Sequence, residues 1–339
     1  MAVVATGFFD GVHPGHRLVI DTLLSEARAR GEQSVVVSFW PHPRAVLQSG
    51  ADSLRYLTSR EEKEATLREL GVDCVETVRF TREFAGMSAE QYMEMLRTNY
   101  GCTELVLGYD TRFGREQAGP SEIAALAQSL GLDAVVAPPV CIDGAPVSST
   151  RIRAALESGD VALAARLLGR PYRLHGVVVS GNRLGRTIGF PTANMQLYEP
   201  LMCVPRNGVY ETRVYTEQRF LSEQSLRKTS LCSPSHFVGP SRSKPRAAMP
   251  SGETAPVENA SLLRGMTNIG VRPTVSDRDA LTIETNIFGF DEMIYGLDIS
   301  VDFVRRIRDE RKFASLDELK AQLQQDAAAI SSSDSGYCR

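Results

Sequence analysis

The first half of the chain alternates between short apolar runs and amphipathic stretches. The apolar runs, rich in β-branched residues, lie at 2–6, 34–39, 75–80, 104–108 and 134–137. Helix-like stretches separate them at 17–30, from 58 to a stop at Gly71, from Ser88 onward, and at 121–130. Short strand-like runs that alternate with helices predict βαβ units. We therefore expect a parallel α/β sheet with helices on both faces.

The pattern changes after about residue 149. Two short helices are predicted at 150–157 and at 161–168, the second capped by Asp160. Strand-like segments with few helices between them follow at 174–180, 209–214, 282–288 and 299–304. This pattern predicts an antiparallel β-barrel or sandwich. A last helix is expected to run from Ser315 to about residue 330, before a frayed tail at 331–339.

Local signals refine this division. Capping-box spacing is found at Thr58 and Glu61, at Ser88 and Gln91, and at Ser315 and Glu318. A stretch at 216–263 is rich in Ser, Pro and Arg, shows no period, and is expected to be a flexible surface loop. We place the domain boundary near Arg170. The first domain is then 1–170, including linking helices at 150–169, and the second is 171–330.

Composition narrows the function classes. The 339 residues carry a net charge of −3, with 42% hydrophobic and 23% charged residues, which argues against a disordered chain and a broadly basic nucleic-acid binder. No apolar run approaches the ~20 residues of a membrane-spanning helix, and the start lacks signal-peptide features. The six cysteines are scattered without a C-x-x-C pair, as in reduced cytosolic proteins. We expect a cytoplasmic protein with neither nucleic acid nor membrane as partner.

The segment GFFDGVHPGH, residues 7–16, lies between the first strand and the first helix. A Gly-rich turn before a helix allows close approach of phosphate, and the helix start offers free N–H groups. His13 and His16 flank Pro14-Gly15 and can face one ligand, where each can stabilise charge on a phosphoryl group. The tetrapeptide alone favours a structural turn, and its place after the first strand reverses that preference.

Two further segments also follow predicted strands or begin predicted helices. VSSTRIR brings hydroxyls and Arg153 to a helix start, where plain capping is the better interpretation if the segment is taken alone. In GYDTRFG, Asp110 and Arg112 can hold a substrate or metal, or can pair with each other. The prolines of Pro41-His42-Pro43 predict a rigid loop.

The second half contains no GxxxxGKS motif, so it is not a P-loop kinase. Glu284 alternates with Ile283, Thr285 and Ile287 in a strand pattern. On these residues alone, an outward Glu on an exposed strand face is the favoured interpretation. A cationic stretch is formed by Arg305, Arg306, Arg308 and Arg311. Most of it is expected to be solvated, and Arg308 is expected to reach the active-site cleft.

A set of ordered motifs makes the chain resemble the bifunctional bacterial riboflavin kinase/FAD synthetase family. The motifs of the first half are GFFDGVHPGH, FWPHPRAVL, LTSREEK, GYDTRFG and VSSTRIRAALESGDVALAARLLGRPY. Those of the second half are GNRLGRTIGFPTAN, NGVY, TNIGVRPT, TIETNIFGF and FVRRIRDERKF. The resemblance implies a Rossmann-like nucleotidyltransferase domain followed by an antiparallel β-barrel domain with a C-terminal helix.

The resemblance implies two ATP-dependent reactions. Riboflavin is phosphorylated to FMN, and FMN is then adenylylated to FAD with release of pyrophosphate, both with Mg²⁺. The implied partners are the small molecules riboflavin, FMN and ATP. The alternatives are an enzyme that keeps only one activity and a non-enzymatic flavin-binding protein. Both histidines and Glu284 weigh against a pure binder, which does not need them.

For adenylylation, the resemblance implies that His13 and His16 bind the ATP phosphates and stabilise transfer. The implied ATP-binding set is Gly7, Phe8, Asp10, Gly15, Ser148, Ser149, Thr150 and Arg153. The implied flavin side is Pro41, His42, Pro43 and Asp110. Asp110 is also a candidate metal ligand.

For the kinase, the resemblance implies that Glu284 is the general base. Thr192 and Asn194 are expected to hold the Mg–nucleotide, and Arg308 is expected on the flavin side. The implied ATP-binding set is Gly181, Gly185, Arg186, Gly189, Pro191, Thr192 and Asn194.

Three features depart from the family pattern. Met1 starts at the first strand, where members usually carry a short preceding segment, so we expect either a missing edge contact or a misassigned start. Thr111 stands where an aromatic or His side chain is more usual. The 216–263 loop is about forty residues longer than a hairpin turn needs.

Overall fold

The structure is a computed structural model that describes residues 1–47, 54–181, 184–217, 263–272, 280–290 and 292–332. The strands of the first half are β1 (Ala2–Thr6), β2 (Gln33–Trp40), β3 (Cys74–Arg79), β4 (Cys102–Gly108), β5 (Asp133–Ala137), β6 (Cys141–Ile142) and β7 (Ala145–Pro146). Its helices are α1 (Pro14–Arg30), α2 (Pro43–Leu47), α3 (Arg60–Glu69), α4 (Arg82–Ala85), α5 (Ala89–Tyr100), α6 (Pro120–Ser129), α7 (Ser149–Ser158) and α8 (Val161–Leu168).

β1 lies at the centre of a five-stranded sheet. The strand order is β3-β2-β1-β4-β5, and every pairing in it is parallel. All five β1 residues are buried, as expected for a parallel strand that is covered on both faces. Val3 and Ala5 join the core under α1 and α3, while Ala2 and Val4 join the core under α5 and α6. The predicted α/β sheet with helices on both faces is confirmed.

The starts of α6 and α7 each lie one residue before the prediction, and those of α1 and α3 differ for identifiable reasons. α1 begins at Pro14, three residues early, because proline suits the first helical position and His13 serves as the N-cap. The capping box of α3 is Ser59 with Glu62, not Thr58 with Glu61. The Thr58 hydroxyl instead contacts the Asp10 carboxylate and accepts the Gly11 N–H. The box expected at Ser88 and Gln91 is present. At Ser315 only the N-cap half of the expected box is present, because the Glu318 carboxylate accepts the Ala314 N–H instead of the Ser315 N–H.

The second half forms a closed barrel with the order β10-β11-β12-β9-β8-β13. Its elements are β8 (Tyr172–Val179), α9 (Leu184–Thr187), β9 (Ala193–Leu197), β10 (Gly208–Glu217), β11 (Leu263–Arg272), β12 (Ala280–Ile287), β13 (Asp298–Arg308) and α10 (Leu316–Ser331). The pairings are antiparallel throughout. The predicted barrel with a C-terminal helix is confirmed, although β9 and β11 were not predicted as strands.

The predicted loop and tail have different ends in the structure. Thr216 and Glu217 belong to β10, and Leu263 belongs to β11, so the loop prediction was too long at both ends. Ser331 belongs to α10, so the tail begins later than predicted. The rest of these predictions falls on 218–262 and 333–339, outside the described residues. None of the described helices is both long and apolar enough to span a membrane.

α7 and α8 lie between the sheet and the barrel and share one hydrophobic core with both. This core contains Tyr56 from the first half, Ile152 and Leu167 from the two helices, and Val178 and Phe303 from the barrel. Backbone hydrogen bonds also cross the junction, from the Tyr56 N–H to the Leu201 carbonyl (2.8 Å) and from the Cys203 N–H to the Tyr56 carbonyl (2.7 Å). The predicted linking helices are therefore a packed layer and not a flexible connection.

Leu167→Ala tests this layer. Leu167 is fully buried in the shared core, so its truncation should lower the free energy of unfolding by about 2–5 kcal/mol, measured by urea denaturation. Leu47→Ala, at a side chain that is 51% exposed, is the control and should change it by no more than about 0.5 kcal/mol. Equal effects of the two substitutions would contradict a shared core.

Candidate functional site

A cleft of about 360 Å³ opens at the carboxyl end of the parallel sheet. The strand order reverses between β1 and β4, and both Thr6 and Gly108, which end these strands, line the cleft. Such a switch point is where open α/β sheets bind ligands. The predicted residues that line it are Gly7, Phe8, Asp10, His13, Gly15, His16, His42, Pro43, Asp110, Ser148, Ser149, Thr150 and Arg153. Of the first-half set, Pro41 is not among the lining residues.

The loop between β1 and α1 has a strained backbone. Phe9 and Val12 both have positive φ, at 55° and 41°, in a region that side-chain-bearing residues rarely adopt. Gly11 between them has φ 81°, and an added Cβ there would press on Leu57 and Leu168. Strain of this kind persists only where the surrounding structure holds it, and it concentrates at ligand sites.

Asp10 and Arg153 are the groups that hold this loop. The buried Asp10 carboxylate accepts the N–H groups of Leu57 (3.0 Å) and Thr58 (3.1 Å) and forms an ion pair with the Arg153 guanidinium. Arg153 also donates to the Arg55 carbonyl at 2.6 Å. Burial raises the pKa of Asp10, while the charge of Arg153 and the two N–H groups oppose that rise. Both side chains line the cleft, yet their polar atoms bind protein groups.

His13 and His16 stack against each other at the start of α1. Their ring centroids are 3.7 Å apart, and His13 Nδ1 accepts the His16 N–H at 3.4 Å. Burial lowers the pKa of His13 to about 4, helped by the charges of Arg170 and Arg153. Burial also lowers the pKa of His16 well below its usual value, helped by His13 and Lys63. Both rings are therefore neutral at pH 7, and each carries one N–H.

The start of α7 faces the same cleft. The Ser148 side chain caps α7 by accepting the Arg151 N–H, and the Ser149 hydroxyl donates to the Asp10 carbonyl at 2.9 Å. Thr150 is exposed in the cleft wall. Plain capping thus accounts for Ser148. The starts of α1 and α7 meet at this cleft, and both bring N–H groups with partial positive charge.

The loop after β4 lines the opposite wall. The Thr111 hydroxyl accepts the Gly108 N–H at 2.8 Å and closes a tight turn. Arg112 donates to the Gln117 carbonyl at 3.2 Å, and among the described residues it forms no ion pair with Asp110. Asp110 is exposed in the cleft, so the alternative in which these two pair with each other was wrong.

Sequence reasoning missed an aromatic cluster beside the cleft and the charge within it. Phe8 packs against His42, Trp40 and Tyr56, with ring centroids 4.2–6.1 Å apart. Lys63 of α3 lies over the Phe8 ring. Lys63 stands within the LTSREEK motif, but neither the motif nor the helical period indicates that this lysine is buried.

A second cleft, of about 370 Å³, lies outside the barrel wall under α10. Five predicted residues line it: Gly185, Thr192, Asn194, Glu284 and Arg308. Gly181, Gly189 and Pro191 are not lining residues, and the Arg186 side chain lies outside the described part. Gly181 nevertheless matters for shape, because an added Cβ would collide with the Asn194 amide.

Glu284 occupies the middle of this cleft's wall. Its neighbours Ile283, Thr285 and Ile287 are buried inside the barrel, so Glu284 and Asn286 point outward, as the alternation predicted. Outward here means into the cleft and not into open solvent. In register, Glu284 lies between Asn268 of β11 and Asn194 of β9.

Groups around Glu284 fix the cleft's other walls. Asn286 donates to the Pro191 carbonyl at 2.7 Å and so holds the loop that carries Thr192. Arg308 forms an ion pair with Asp326 of α10 at 2.8 Å, which orients its side chain at the rim. Phe313, a lining residue that sequence reasoning missed, lies 4.6 Å from the Arg311 guanidinium.

Comparison with known proteins assigns each half to a family. Residues 1–151 match the family model described as FAD synthetase, and residues 168–333 match that described as riboflavin kinase. The chain is 30% identical over 332 residues to a Bacillus subtilis protein and 35% identical over 327 residues to one from Escherichia coli K12. Each alignment covers 96% of this chain and 90% of the relative, and both relatives are named bifunctional riboflavin kinase/FMN adenylyltransferase.

A solved structure covers the same length. It is titled as a macrolide-efflux protein from Streptococcus pneumoniae, is 28% identical, and superposes with a TM-score of 0.79. The match covers 97% of this chain and 93% of that one. Both halves and their arrangement therefore recur in a solved structure.

The lowered pKa of His13 predicts a pH dependence of stability. Between its folded value of about 4 and an unfolded value of about 6.5, the unfolded chain binds more protons, so stability falls as pH falls through this window. Replacement of His13 by asparagine keeps an N-cap acceptor but removes the titrating ring. Between pH 7.5 and pH 5, the free energy of unfolding of the variant should therefore decrease by about 2 kcal/mol less than that of wild type.

Denaturation curves of wild type and His13→Asn at several pH values measure this difference. Between pH 7.5 and 8.5 the two curves should run parallel, which is the internal control. A wild type that loses no more stability than the variant on acidification would contradict a neutral, buried His13.

Proposed function

The chain belongs to the bifunctional riboflavin kinase/FMN adenylyltransferase family, and from this premise we propose which residues carry each reaction. The protein is a transferase that phosphorylates riboflavin with ATP and transfers an adenylyl group from ATP to FMN. The observation that carries the assignment is the presence of two separate clefts, one with a stacked histidine pair and one with a central glutamate.

We assign adenylylation to residues 1–170 and the kinase to 171–330. The sheet cleft draws its lining from residues 6–153, and the barrel cleft draws its lining from 185–323. Each cleft is thus built from one half of the chain. The helices at 150–169 support the first cleft from behind while packing on the barrel.

In the sheet cleft, a phosphate oxygen of FMN attacks the α-phosphorus of ATP, and the bond to the pyrophosphate oxygen breaks. The attacking phosphate is already an anion at pH 7, because the second pKa of such a group is about 6. No general base is required. The neutral rings of His13 and His16 and the N–H groups that start α1 and α7 then stabilise the charge that accumulates around phosphorus.

In the barrel cleft, the nucleophile is a primary hydroxyl of riboflavin, which must lose its proton as it attacks the γ-phosphorus of ATP. A carboxylate within reach of that hydroxyl suits this role. We propose Glu284 as the general base, with Thr192 and Asn194 at the nucleotide and Arg308 on the flavin side. Neither Gly185 nor Gly181 has room for a side chain, because an added Cβ would collide with the Phe190 carbonyl and with the Asn194 amide, respectively.

The residues present fit a magnesium ion that is bound with its nucleotide. Thr192 and Asn194 offer a hydroxyl and an amide oxygen, the oxygen donors that Mg²⁺ prefers, and Asp110 offers a carboxylate in the other cleft. Mg²⁺ usually takes few protein ligands and several phosphate or water oxygens. When bound, it neutralises charge on the phosphates that react. The protein's own residues hold and orient the nucleotide around it.

We further propose that the enzyme works in the cytoplasm on riboflavin, FMN and ATP, without nucleic acid or membrane as partner. The cysteines of the described residues, Cys74, Cys102, Cys141 and Cys203, are all free thiols. This supports a reducing compartment.

Glu284→Gln tests the kinase assignment. The amide keeps the size and hydrogen bonding of the side chain but cannot accept the hydroxyl proton, so FMN formation should fall by about 10²–10⁴-fold. Chromatography of flavins after incubation with riboflavin, ATP and Mg²⁺ measures it. FAD formation from supplied FMN should persist within about twofold. Loss of both activities together would overturn the division between the halves.

His16→Ala is the mirror experiment. Removing one N–H donor to the transferring phosphoryl group should slow FAD formation from FMN by about 10²–10³-fold. The same sample should still convert riboflavin to FMN, which shows that the chain is folded. Unchanged FAD synthesis would contradict the role proposed for the histidine pair.

A further inference from the structure

A buried lysine lies behind the loop that is proposed to bind phosphate. Lys63, on α3, is 1% exposed and does not line the cleft. Its Nζ donates to the Phe8 carbonyl at 2.9 Å and lies 4.0 Å from the centroid of the Phe8 ring and 5.7 Å from that of Trp40. Within the described residues, no carboxylate lies within 4.0 Å of this ammonium. Lysine is among the residues least often fully buried.

Packing alone does not explain a charge at this position. A methionine or leucine would fill the same volume without the cost of taking an ammonium out of water. One carbonyl and two aromatic faces offset part of that cost. A buried positive charge with such partners raises the electrostatic potential around it. This effect is stronger where water is excluded, because the local dielectric constant is lower.

The Phe8 carbonyl is the point where this charge acts on the loop. The Ser38 hydroxyl donates to the same carbonyl at 3.3 Å, so two side chains fix the peptide between Phe8 and Phe9. This peptide precedes the strained residue Phe9, with φ 55°, and leads into the turn that ends at His13. The orientation of this one peptide therefore governs the direction of the N–H groups that follow.

We propose that Lys63 is a positioning residue for adenylyl transfer, a proposal that rests on the adenylyltransferase function proposed above. Its ammonium fixes the Phe8 carbonyl and thereby the strained loop. Its positive charge, which lies behind the loop, attracts the ATP polyphosphate. Lys63 takes no part in bond making. It acts through the loop, and its effect is confined to the sheet cleft.

The charged groups around Lys63 set the pH range of this effect. Burial lowers the pKa of Lys63 to about 8; the loop residue Asp10 and Glu64 of α3 oppose this lowering, and Arg60 adds to it. His16 of α1 and His42, beyond β2, also face this charge, and Lys63 lowers the pKa of each. The ammonium is therefore lost as pH rises through about 8, and ATP should bind less tightly above it.

Three substitutions at Lys63 separate its hydrogen bond from its charge. Lys63→Gln keeps a donor for the Phe8 carbonyl without the charge, Lys63→Arg keeps the charge, and Lys63→Met removes both. Lys320→Met, at an exposed lysine of α10, is the matched control. Steady-state kinetics of FAD formation from supplied FMN follow the sheet cleft alone, and FMN formation from riboflavin in the same preparation reports folding.

We expect Lys63→Met to lower kcat/KM for FAD formation by about 10²-fold through both parameters. Lys63→Gln should raise KM for ATP about tenfold with kcat nearly kept, and should lose the rise in KM that wild type shows above pH 8. Lys63→Arg should keep a low KM for ATP above pH 8. All variants should keep FMN formation within about twofold.

Lys63 variants that form FMN normally, and whose FAD kinetics and pH profile stay within twofold of wild type, would overturn the proposal. If Lys63→Met fails to fold, the proposal is tested by Lys63→Gln and by the pH profile of wild type. The proposal is overturned if the KM of wild type for ATP is constant from pH 7 to 9.5 and the glutamine variant has the same KM. Wild type that forms no FAD from FMN would instead refute the proposed function, and this assignment with it.

Discussion

The ion pair between the buried Asp10 carboxylate and Arg153 is the interaction on which the first half of the chain depends. One carboxylate gathers the loop after β1, the N–H groups at 57–58 and the α7 guanidinium, which are distant in sequence. A buried ion pair gains little over a well-packed apolar pair, but removing one partner leaves a buried charge and costs about 3–5 kcal/mol. The pair joins three segments at one carboxylate, so loss of either partner should disturb all three.

The same segments connect this cleft to the barrel. The Tyr56 backbone exchanges hydrogen bonds with Leu201 and Cys203, while the next two residues along the chain bind Asp10. At the end of α8, Leu168 lies beside Gly11, and Gly169 lies beside Pro14. The proposed phosphate loop thus rests on the layer that packs against the barrel. A division into two reaction units does not imply two independent folding units.

Much of the fold could be predicted because it depends on local periodicity. The strand runs and caps gave the parallel sheet and the barrel, and alternation gave the correct face of Glu284. β9 and β11 were missed because β9 is short and follows Pro191, while β11 adjoins a segment without a period. The capping box near α3 was placed one residue early because Thr58 is used by Asp10, a contact that no local signal shows.

The candidate site was predictable only in part, for a related reason. Residues that follow strands meet at one edge by topology, so the histidine pair and Asp110 could be expected at the same edge, whereas only the resemblance to the family added the start of α7. The burial of Lys63, and the engagement of Arg153 by Asp10 in place of an open anion site, depend on tertiary packing. A charged residue in a helix is normally exposed to solvent, and the sequence alone does not show which charged residue is buried instead.

The two clefts differ in their side chains, and the difference matches what each proposed nucleophile needs for reaction. A phosphate that is already ionised needs no base. The sheet cleft instead has neutral imidazoles and two helix starts, with a buried ammonium behind its loop. A hydroxyl must lose a proton, and the barrel cleft presents a carboxylate between two asparagines. Because dipoles and single buried charges suffice for phosphate, the chain can handle two nucleotides with a net charge of −3. The chemistry of each acceptor, more than that of the shared donor ATP, accounts for how the clefts diverge.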